Sequence, residues 1–160
     1  MRAVLDTNVV VSGVIKEQGP SGQILSLLLR ERKFVSVTSL EILAEMREVL
    51  RREKIRKYHG WTGEQADIFV AFLYAQSVVT EGRVTVDIVS KDPQDNKFLA
   101  CAQEENADYL VSGDNHLLDI KTFGSAQIAS PRCFSCRFAV TLISSKNQLK
   151  ASMRSPMSPL

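Results

Sequence analysis

The sequence predicts a single α/β domain in three layers, with helices on both faces of a central parallel sheet of four to five strands. Short apolar and β-branched runs alternate with longer segments of helical periodicity, which is the pattern of parallel strands joined by crossover helices. The chain has 160 residues, the usual size of one domain. Hydrophobic residues make up 44% and charged residues 24% of it, close to the globular average, which excludes disordered, collagen-like and coiled-coil chains.

The elements of the first half follow from apolar runs and the breaks between them. Residues 3–5 form a short apolar strand, and an apolar segment follows it up to a Gly-Pro-Ser-Gly turn at 19–22. Residues 21–32 and 39–50 each carry leucine and isoleucine at helical spacing, so we expect two helices there. Between them the valine-containing run 34–37 predicts the second strand.

The second half continues this alternation and then loses it. The pattern predicts a helix over 62–75, broken β structure over 77–89, a helix over 92–106, a strand over 108–112, a helical turn over 115–119 and a strand over 126–129. After Pro131 the segment 133–143 fits a helix or a strand, and 144–160 is rich in Ser, Lys and Pro without acids. We therefore expect a domain over 1–131 and an atypical basic, serine-rich segment over 132–160 that is partly disordered.

Charge is distributed unevenly along the chain. Residues 1–119 carry 14 Lys and Arg against 18 Asp and Glu, whereas residues 120–160 carry 6 basic residues and no acid. An acidic body argues against a protein that clamps nucleic acid by positive charge alone, and it permits contact through a metal ion. The N-terminal region lacks an apolar stretch suited to a membrane span or a signal peptide, so we expect a cytoplasmic protein without membrane contact.

Two acids follow predicted strands. Asp6 comes directly after the first strand, and Asp114 follows the strand over 108–112. The carboxyl ends of parallel strands meet at one edge of the sheet, where open α/β sheets bind their ligands. Each acid is also a suitable N-cap for the helix after it, so a purely structural role stays open for both.

Two further acids lie on predicted helices. In the helix over 39–50, Glu45 borders the apolar stripe, whereas Glu41 and Glu48 point away from it. A solvated position stays open for Glu45. Asp95 falls in the first turn of a later helix, where a carboxylate also favours the helix dipole. It projects on the side that faces the sheet, and we expect it to point at the strand ends.

Four carboxylates in one crevice repel one another, and a divalent cation relieves that repulsion. Oxygen ligands without a His or Cys cluster suit Mg²⁺ or Mn²⁺, which accept carboxylates, water and substrate phosphate. We therefore expect one or two such ions. The chain lacks the glycine-rich nucleotide loops and the serine-hydrolase elbow, and its Cys133-x-x-Cys136 pair has no second pair of ligands for zinc.

Four motifs are spread over residues 1–131. They are Val4-Leu-Asp6-Thr-Asn8, Ser39-Leu-Glu-Ile-Leu-Ala-Glu45, Asp92-Pro-Gln-Asp95-Asn-Lys-Phe-Leu99 and Ala107-Asp-Tyr-Leu-Val-Ser-Gly-Asp114. In this order they resemble the motifs of PIN-domain ribonucleases, of the group that act as toxins of toxin–antitoxin pairs. The resemblance implies a PIN-like fold and a Mg²⁺- or Mn²⁺-dependent endoribonuclease, a hydrolase with RNA as substrate.

The resemblance also assigns roles to individual residues. Catalytic and metal-binding roles fall to Asp6, Glu45, Asp95 and Asp114, and supporting polar roles to Asn8 and Ser39. It implies a small antitoxin as partner, which would present an Arg to these acids. We also expect a homo-oligomer, a dimer or larger. A housekeeping nuclease of RNA processing and a PIN-like module that binds RNA or protein without cutting remain the alternatives.

The chain departs from the family in two places. Many members carry a further acid two residues beyond the fourth one, where this chain has His116, which leaves a phosphate or product contact as its role. The basic segment after Pro131 stands where the family often has a short apolar helix.

A basic run with aromatic neighbours continues the predicted helix of Glu45. The run supplies candidate contacts to RNA or to a partner protein, namely Arg51, Arg52, Lys54 and Lys57. A solvated helix end is the alternative, since cations there favour the helix dipole.

Overall fold

The structure, a computed structural model, describes residues 1–89 and 91–138. Within them the strands are β1 (Arg2–Leu5), β2 (Val35–Thr38), β3 (Ser77–Val79), β4 (Tyr109–Val111), β5 (Thr122–Phe123) and β6 (Ala126–Ala129). They form one sheet with the order β3-β2-β1-β4-β6-β5. Neighbours from β3 to β6 pair in parallel, as predicted, and β5, a two-residue strand that the sequence pattern did not predict, pairs antiparallel with β6.

Helices flank this sheet. They are α1 (Thr7–Ile15), α2 (Pro20–Leu29), α3 (Leu40–Arg51), α4 (Glu53–His59), α5 (Gly63–Gln76), α6 (Asn96–Glu104) and α7 (Asn115–Leu118), with a 3₁₀ turn at Pro93–Asp95 before α6. None of the helices in the described ranges is long and apolar enough to cross a lipid bilayer. The predicted α/β architecture with a mostly parallel central sheet is confirmed.

Helix α1 was not predicted from the sequence. Its valine run at 9–11 favours a strand. Two tertiary features favour the helix instead. Asp6 caps it by accepting the Asn8 backbone N–H at 3.0 Å. Gly13 allows α2 to approach closely, because a Cβ there would lie 2.7 Å from Leu25 Cδ1.

The prediction that the basic run continues α3 was wrong. Helix α3 ends at Arg51, and Arg52 has extended backbone angles, φ −60° and ψ 132°. A separate helix, α4, then begins at Glu53. Its end folds back on α3, where His59 Nε2 lies 3.0 Å from the Leu50 carbonyl oxygen. The basic side chains of α4 therefore do not continue the helix face that carries the site acid of α3.

The predicted β structure over 77–89 is limited to β3. Residues 80–89 form a loop whose backbone is held by two side chains. The Glu104 carboxylate accepts two backbone N–H groups of this loop at 2.8 Å each. Asn96 Oδ1 accepts two more at 2.9 Å each. Since side chains bind these donors, the segment has no need of a strand partner.

Residues 131–138 are helical and pack on the core. Phe134 is fully buried, with its ring centroid 5.2 Å from that of Phe34 and 5.3 Å from that of Tyr109. The division of the chain into 1–131 and 132–160 stays a prediction. The partial disorder expected within 132–160 also stays a prediction, because residues 139–160 lie outside the described residues.

Candidate active site

Asp6 and Asp114 lie where two adjacent parallel strands end. Asp6 follows β1, Asp114 follows β4, and these strands are paired in the sheet. Asp6 Oδ1 accepts the Asn8 backbone N–H at 3.0 Å, and Asp114 Oδ1 accepts that of His116 at 2.7 Å. Both acids are therefore helix caps at the ligand-binding edge of the sheet. The capping role and a role in a site are compatible, because each cap uses one carboxylate oxygen.

Ser112 joins these two acids. Its hydroxyl donates to Asp6 Oδ2 at 2.6 Å and accepts the Asp114 backbone N–H at 3.0 Å. Ser112 is fully buried, and Asp6 is 3% exposed. This serine was missed as a candidate site residue. The available signal was its position directly before Gly113 and Asp114, at the end of a strand.

Glu45 projects from α3 toward α1 and α6. Its Oε2 accepts a hydrogen bond from the Thr7 hydroxyl at 2.8 Å and lies 2.8 Å from Lys97 Nζ. Glu41 and Glu48 on the same helix are exposed, as their helical spacing predicts. Thr7 and Lys97 were also missed by the sequence reasoning: both lie within the quoted motifs, but neither was assigned a role there.

Asp95 ends the 3₁₀ turn that precedes α6. The predicted capping residue of this segment, Asp92, accepts the Gln94 backbone N–H at 3.1 Å. Asp95 stands at the N-cap position of α6, but its side chain makes no capping hydrogen bond. Asp95 is 9% exposed, and its Oδ2 has no hydrogen-bond partner among the described residues. A buried carboxylate oxygen without a partner in the protein is unusual, and such atoms commonly bind water or an ion.

The acids lie close enough to shift one another's pKa values. Burial is the main cause that raises the pKa of Asp95 to about 6, and the charges of Asp92, Asp114 and Asp6 raise it further. Burial also raises the pKa of Asp6. The hydrogen bonds from Ser112 and Asn8 oppose that rise, while the charges of Glu45 and Asp114 add to it. Repulsion among the four acids is therefore present in the fold.

The donor set fits a hard divalent cation in its chemistry. It consists of carboxylates, and one of them has the unpartnered buried oxygen on Asp95. Within the residues that the structure describes, no three His, Cys, Asp or Glu side chains form a group close enough to hold a metal ion. Metal ligation would therefore need these side chains to draw closer together. The assignment of Asp6, Glu45, Asp95 and Asp114 to a metal site stays a prediction.

The two predicted supporting residues, Asn8 and Ser39, take part in helix N-caps next to the site acids. Ser39 is the N-cap of α3, and its hydroxyl accepts the Ile42 backbone N–H at 3.2 Å. Asn8 acts on Asp6 through its backbone N–H, as described above, and its side chain is exposed. Both residues position elements that carry an acid. Contact with a carboxylate or with metal-bound water stays a prediction for their side chains.

The predicted basic contacts are partly engaged in exposed ion pairs. Arg51 Nη1 lies 2.6 Å from Asp67 Oδ2, and Arg52 Nη2 lies 2.8 Å from Glu48 Oε1. Lys57 Nζ is 3.6 Å from a Glu53 oxygen, and Lys54 is exposed on the same helix. Exposed pairs of this kind exchange readily with a new anionic partner. His116 is exposed on α7, next to Asp114. A role for these residues in RNA or partner binding stays a prediction.

Comparison with known proteins gives the family. A family model described as PIN domain matches residues 2–116. The uncharacterized protein MJ1680 of Methanocaldococcus jannaschii is 34% identical over 121 residues, 76% of each chain. This chain is also similar in fold to a solved structure, the crystal structure of VapBC2 from Rickettsia felis bound to a DNA fragment from their promoter. The TM-score is 0.55 and the sequence identity 17%, and the match covers 81% of this chain and 98% of that chain. PIN domains are generally nucleases and usually use divalent metals. These matches confirm the resemblance seen in the sequence, and the chain belongs to the PIN-domain family.

Proposed function

We propose that the protein is a divalent-metal-dependent endoribonuclease that hydrolyses RNA phosphodiester bonds at the edge of the sheet. The observation that carries the proposal is the cluster of mutually repelling acids around Asp95, whose buried Oδ2 lacks a partner among the described residues. Membership of a family of nucleases supports the reaction class. A cluster of acids is unsuited to binding a polyanion unless a cation lies between the two.

Asp6, Asp95 and Asp114 would hold Mg²⁺ or Mn²⁺, and Glu45 would complete that site or serve a second ion. A divalent ion bound there supplies a water of lowered pKa and neutralises charge that develops on the scissile phosphate. No side chain is needed as a nucleophile. The serine among the acids, Ser112, is fully buried and its hydroxyl donates a hydrogen bond to Asp6, which suits a positioning role.

The protein's own contribution is to hold the acids in place. The Ser112 hydroxyl and the Asn8 backbone N–H fix both oxygens of Asp6. The His116 backbone N–H fixes one oxygen of Asp114 and leaves the other for a ligand. Restrained ligands of this kind reduce the reorganisation that catalysis would otherwise require.

A candidate space for the substrate is connected to the acids through Lys97, although none of the four acids lines it. A cavity of about 510 Å³ is bordered by Ser39, Gln94 and Lys97, and Lys97 also contacts Glu45. We assign this cavity to the nucleotide next to the scissile phosphate. Its size is within the range of small-molecule sites, about 300–1,000 Å³.

We further propose that the nuclease is the toxin of a toxin–antitoxin pair in the cytoplasm and that it forms a homo-oligomer. The four sequence motifs support the toxin assignment, and so does the shared fold with VapBC2 of Rickettsia felis. The partner would be a small antitoxin that inserts an Arg among the acids, because a guanidinium pairs bidentately with carboxylates. A nuclease of RNA processing would cleave RNA without slowing growth, and a non-cleaving module would not cleave RNA.

The test combines cleavage with growth. Purified wild-type protein should cleave RNA in a Mn²⁺-dependent way, using one structured and one unstructured substrate, and Asp6→Asn should not. Glu48→Gln serves as control, because Glu48 is exposed and pairs with Arg52. Expression of wild type alone should slow growth, and co-expression of the neighbouring gene should restore it. Cleavage that persists in EDTA contradicts the nuclease mechanism, whereas cleavage without growth inhibition contradicts the toxin assignment alone.

A further inference from the structure

Lys97 places a positive charge beside the acids. Its side chain is 9% exposed, and its Nζ lies 2.8 Å from Glu45 Oε2. The same oxygen accepts the Thr7 hydroxyl at 2.8 Å. Glu45 is thus held from two sides, by a residue of α1 and a residue of α6. The Glu45 side chain is 35% exposed, so solvent partly screens the pair. Breaking the pair would still leave the largely buried Lys97 side chain without its carboxylate.

The Lys97 ammonium group does not neutralise all four acids equally. It lies in direct contact with Glu45. Asp95 is not paired with it in this way, and the buried Oδ2 of Asp95 has no hydrogen-bond partner among the described residues. Repulsion among the aspartates is therefore left for another cation to relieve. The charge of Glu45 is already compensated by the Lys97 ammonium group.

We propose that Lys97 is a positioning residue that takes the place of a second cation at Glu45, so that the site binds a single divalent ion at Asp6, Asp95 and Asp114. This inference rests on the proposed metal-dependent function. A second divalent ion at Glu45 would have to displace both the ammonium group and the Thr7 hydroxyl. It would also lie near the first ion, and two divalent charges repel each other more strongly than an ion and an ammonium do.

The experiment counts bound metal ions directly. Mn²⁺ is titrated into the full chain, and the electron paramagnetic resonance signal of free Mn²⁺ gives the number bound per chain. Wild type and Lys97→Arg, which keeps the charge, should each bind one ion. Lys97→Met keeps the apolar stem and removes the charge, and it should bind two. Lys33→Met is the matched control, because Lys33 is exposed and lies outside the candidate contacts, and it should bind one.

A double variant tests whether the second ion uses Glu45. Adding Glu45→Gln to Lys97→Met should return the count to one ion, since the freed carboxylate is gone. Lys97→Gln is the substitute if circular dichroism shows that Lys97→Met does not fold. Two ions in wild type, or one ion in the folded uncharged variant, overturn the inference while leaving a metal-dependent nuclease intact. A wild type that binds no Mn²⁺ overturns the proposed function, and this inference falls with it.

Discussion

Replacing Asp95 by Asn should stabilise the protein at neutral pH in the absence of metal. Burial and neighbouring acids raise the pKa of Asp95 from 3.8 to about 6. The folded state therefore holds this proton to higher pH than the unfolded state does. Stability falls as the pH rises from about 4 to about 6, and the whole penalty is present at pH 7. At full strength the penalty is about 3 kcal/mol, and solvent screening reduces it to about 1–2 kcal/mol.

The assay is thermal unfolding in EDTA at pH 7 and at pH 4.5. At pH 7 Asp95→Asn should melt about 2–8 °C above wild type, since each kcal/mol shifts the Tm of a domain of this size by about 2–4 °C. At pH 4.5 the difference should shrink. Asp119→Asn, a change at an exposed acid of the 115–119 turn, should alter neither melt. A variant that melts below wild type at pH 7, or a difference that does not depend on pH, would refute the reasoning.

Three further changes test other parts of the account. Ser112→Ala should lower the free energy of unfolding by about 1.5–3 kcal/mol in urea titrations, because a buried hydrogen bond to the Asp6 carboxylate is lost; an unchanged midpoint would contradict this. Glu45→Gln should reduce the rate of RNA cleavage at least about tenfold, whereas Glu48→Gln should stay within about twofold of wild type. Equal loss in the two would show that the side-chain directions on α3 do not matter. Phe134→Ala should cost about 3–5 kcal/mol in thermal or urea unfolding, because the ring is fully buried between aromatic neighbours, and a neutral effect would exclude the 131–138 helix from the folded unit.

The sheet and the positions of the acids were predictable because they depend on local pattern. The parallel strands fall within short runs rich in apolar or β-branched residues, and Asp6 and Asp114 follow two of these strands. The direction of Glu45 on α3 follows from helical spacing alone. The structure agrees with these expectations, since parallel strands bring their carboxyl ends to one edge.

The errors arose where distant contacts decide the local structure. The valine run of α1 favours a strand until Gly13 and α2 are present to pack against it. The break at Arg52 has no glycine or proline to mark it, and it is accompanied by the return of His59 to the end of α3.

The residues that organise the acids were missed for a related reason. Ser112 reaches Asp6 across 106 residues of sequence, and Lys97 reaches Glu45 from a different helix. Neither contact leaves a spacing in the sequence that a pattern can show. Acids can be recognised as candidates from their place after a strand or on a helix face. Their partners depend on how the helices are placed around the sheet.

Whether the acids bind a divalent ion is the claim on which the rest depends. Crystals of the wild-type protein grown with MnCl₂, measured on both sides of the manganese absorption edge, would locate any bound Mn²⁺ by its anomalous signal. The account predicts a peak in contact with carboxylate oxygens of Asp6, Asp95 and Asp114, and no such peak in Asp6→Asn crystals. Well-ordered wild-type crystals without a peak among these acids, in saturating Mn²⁺, would contradict the metal-dependent mechanism.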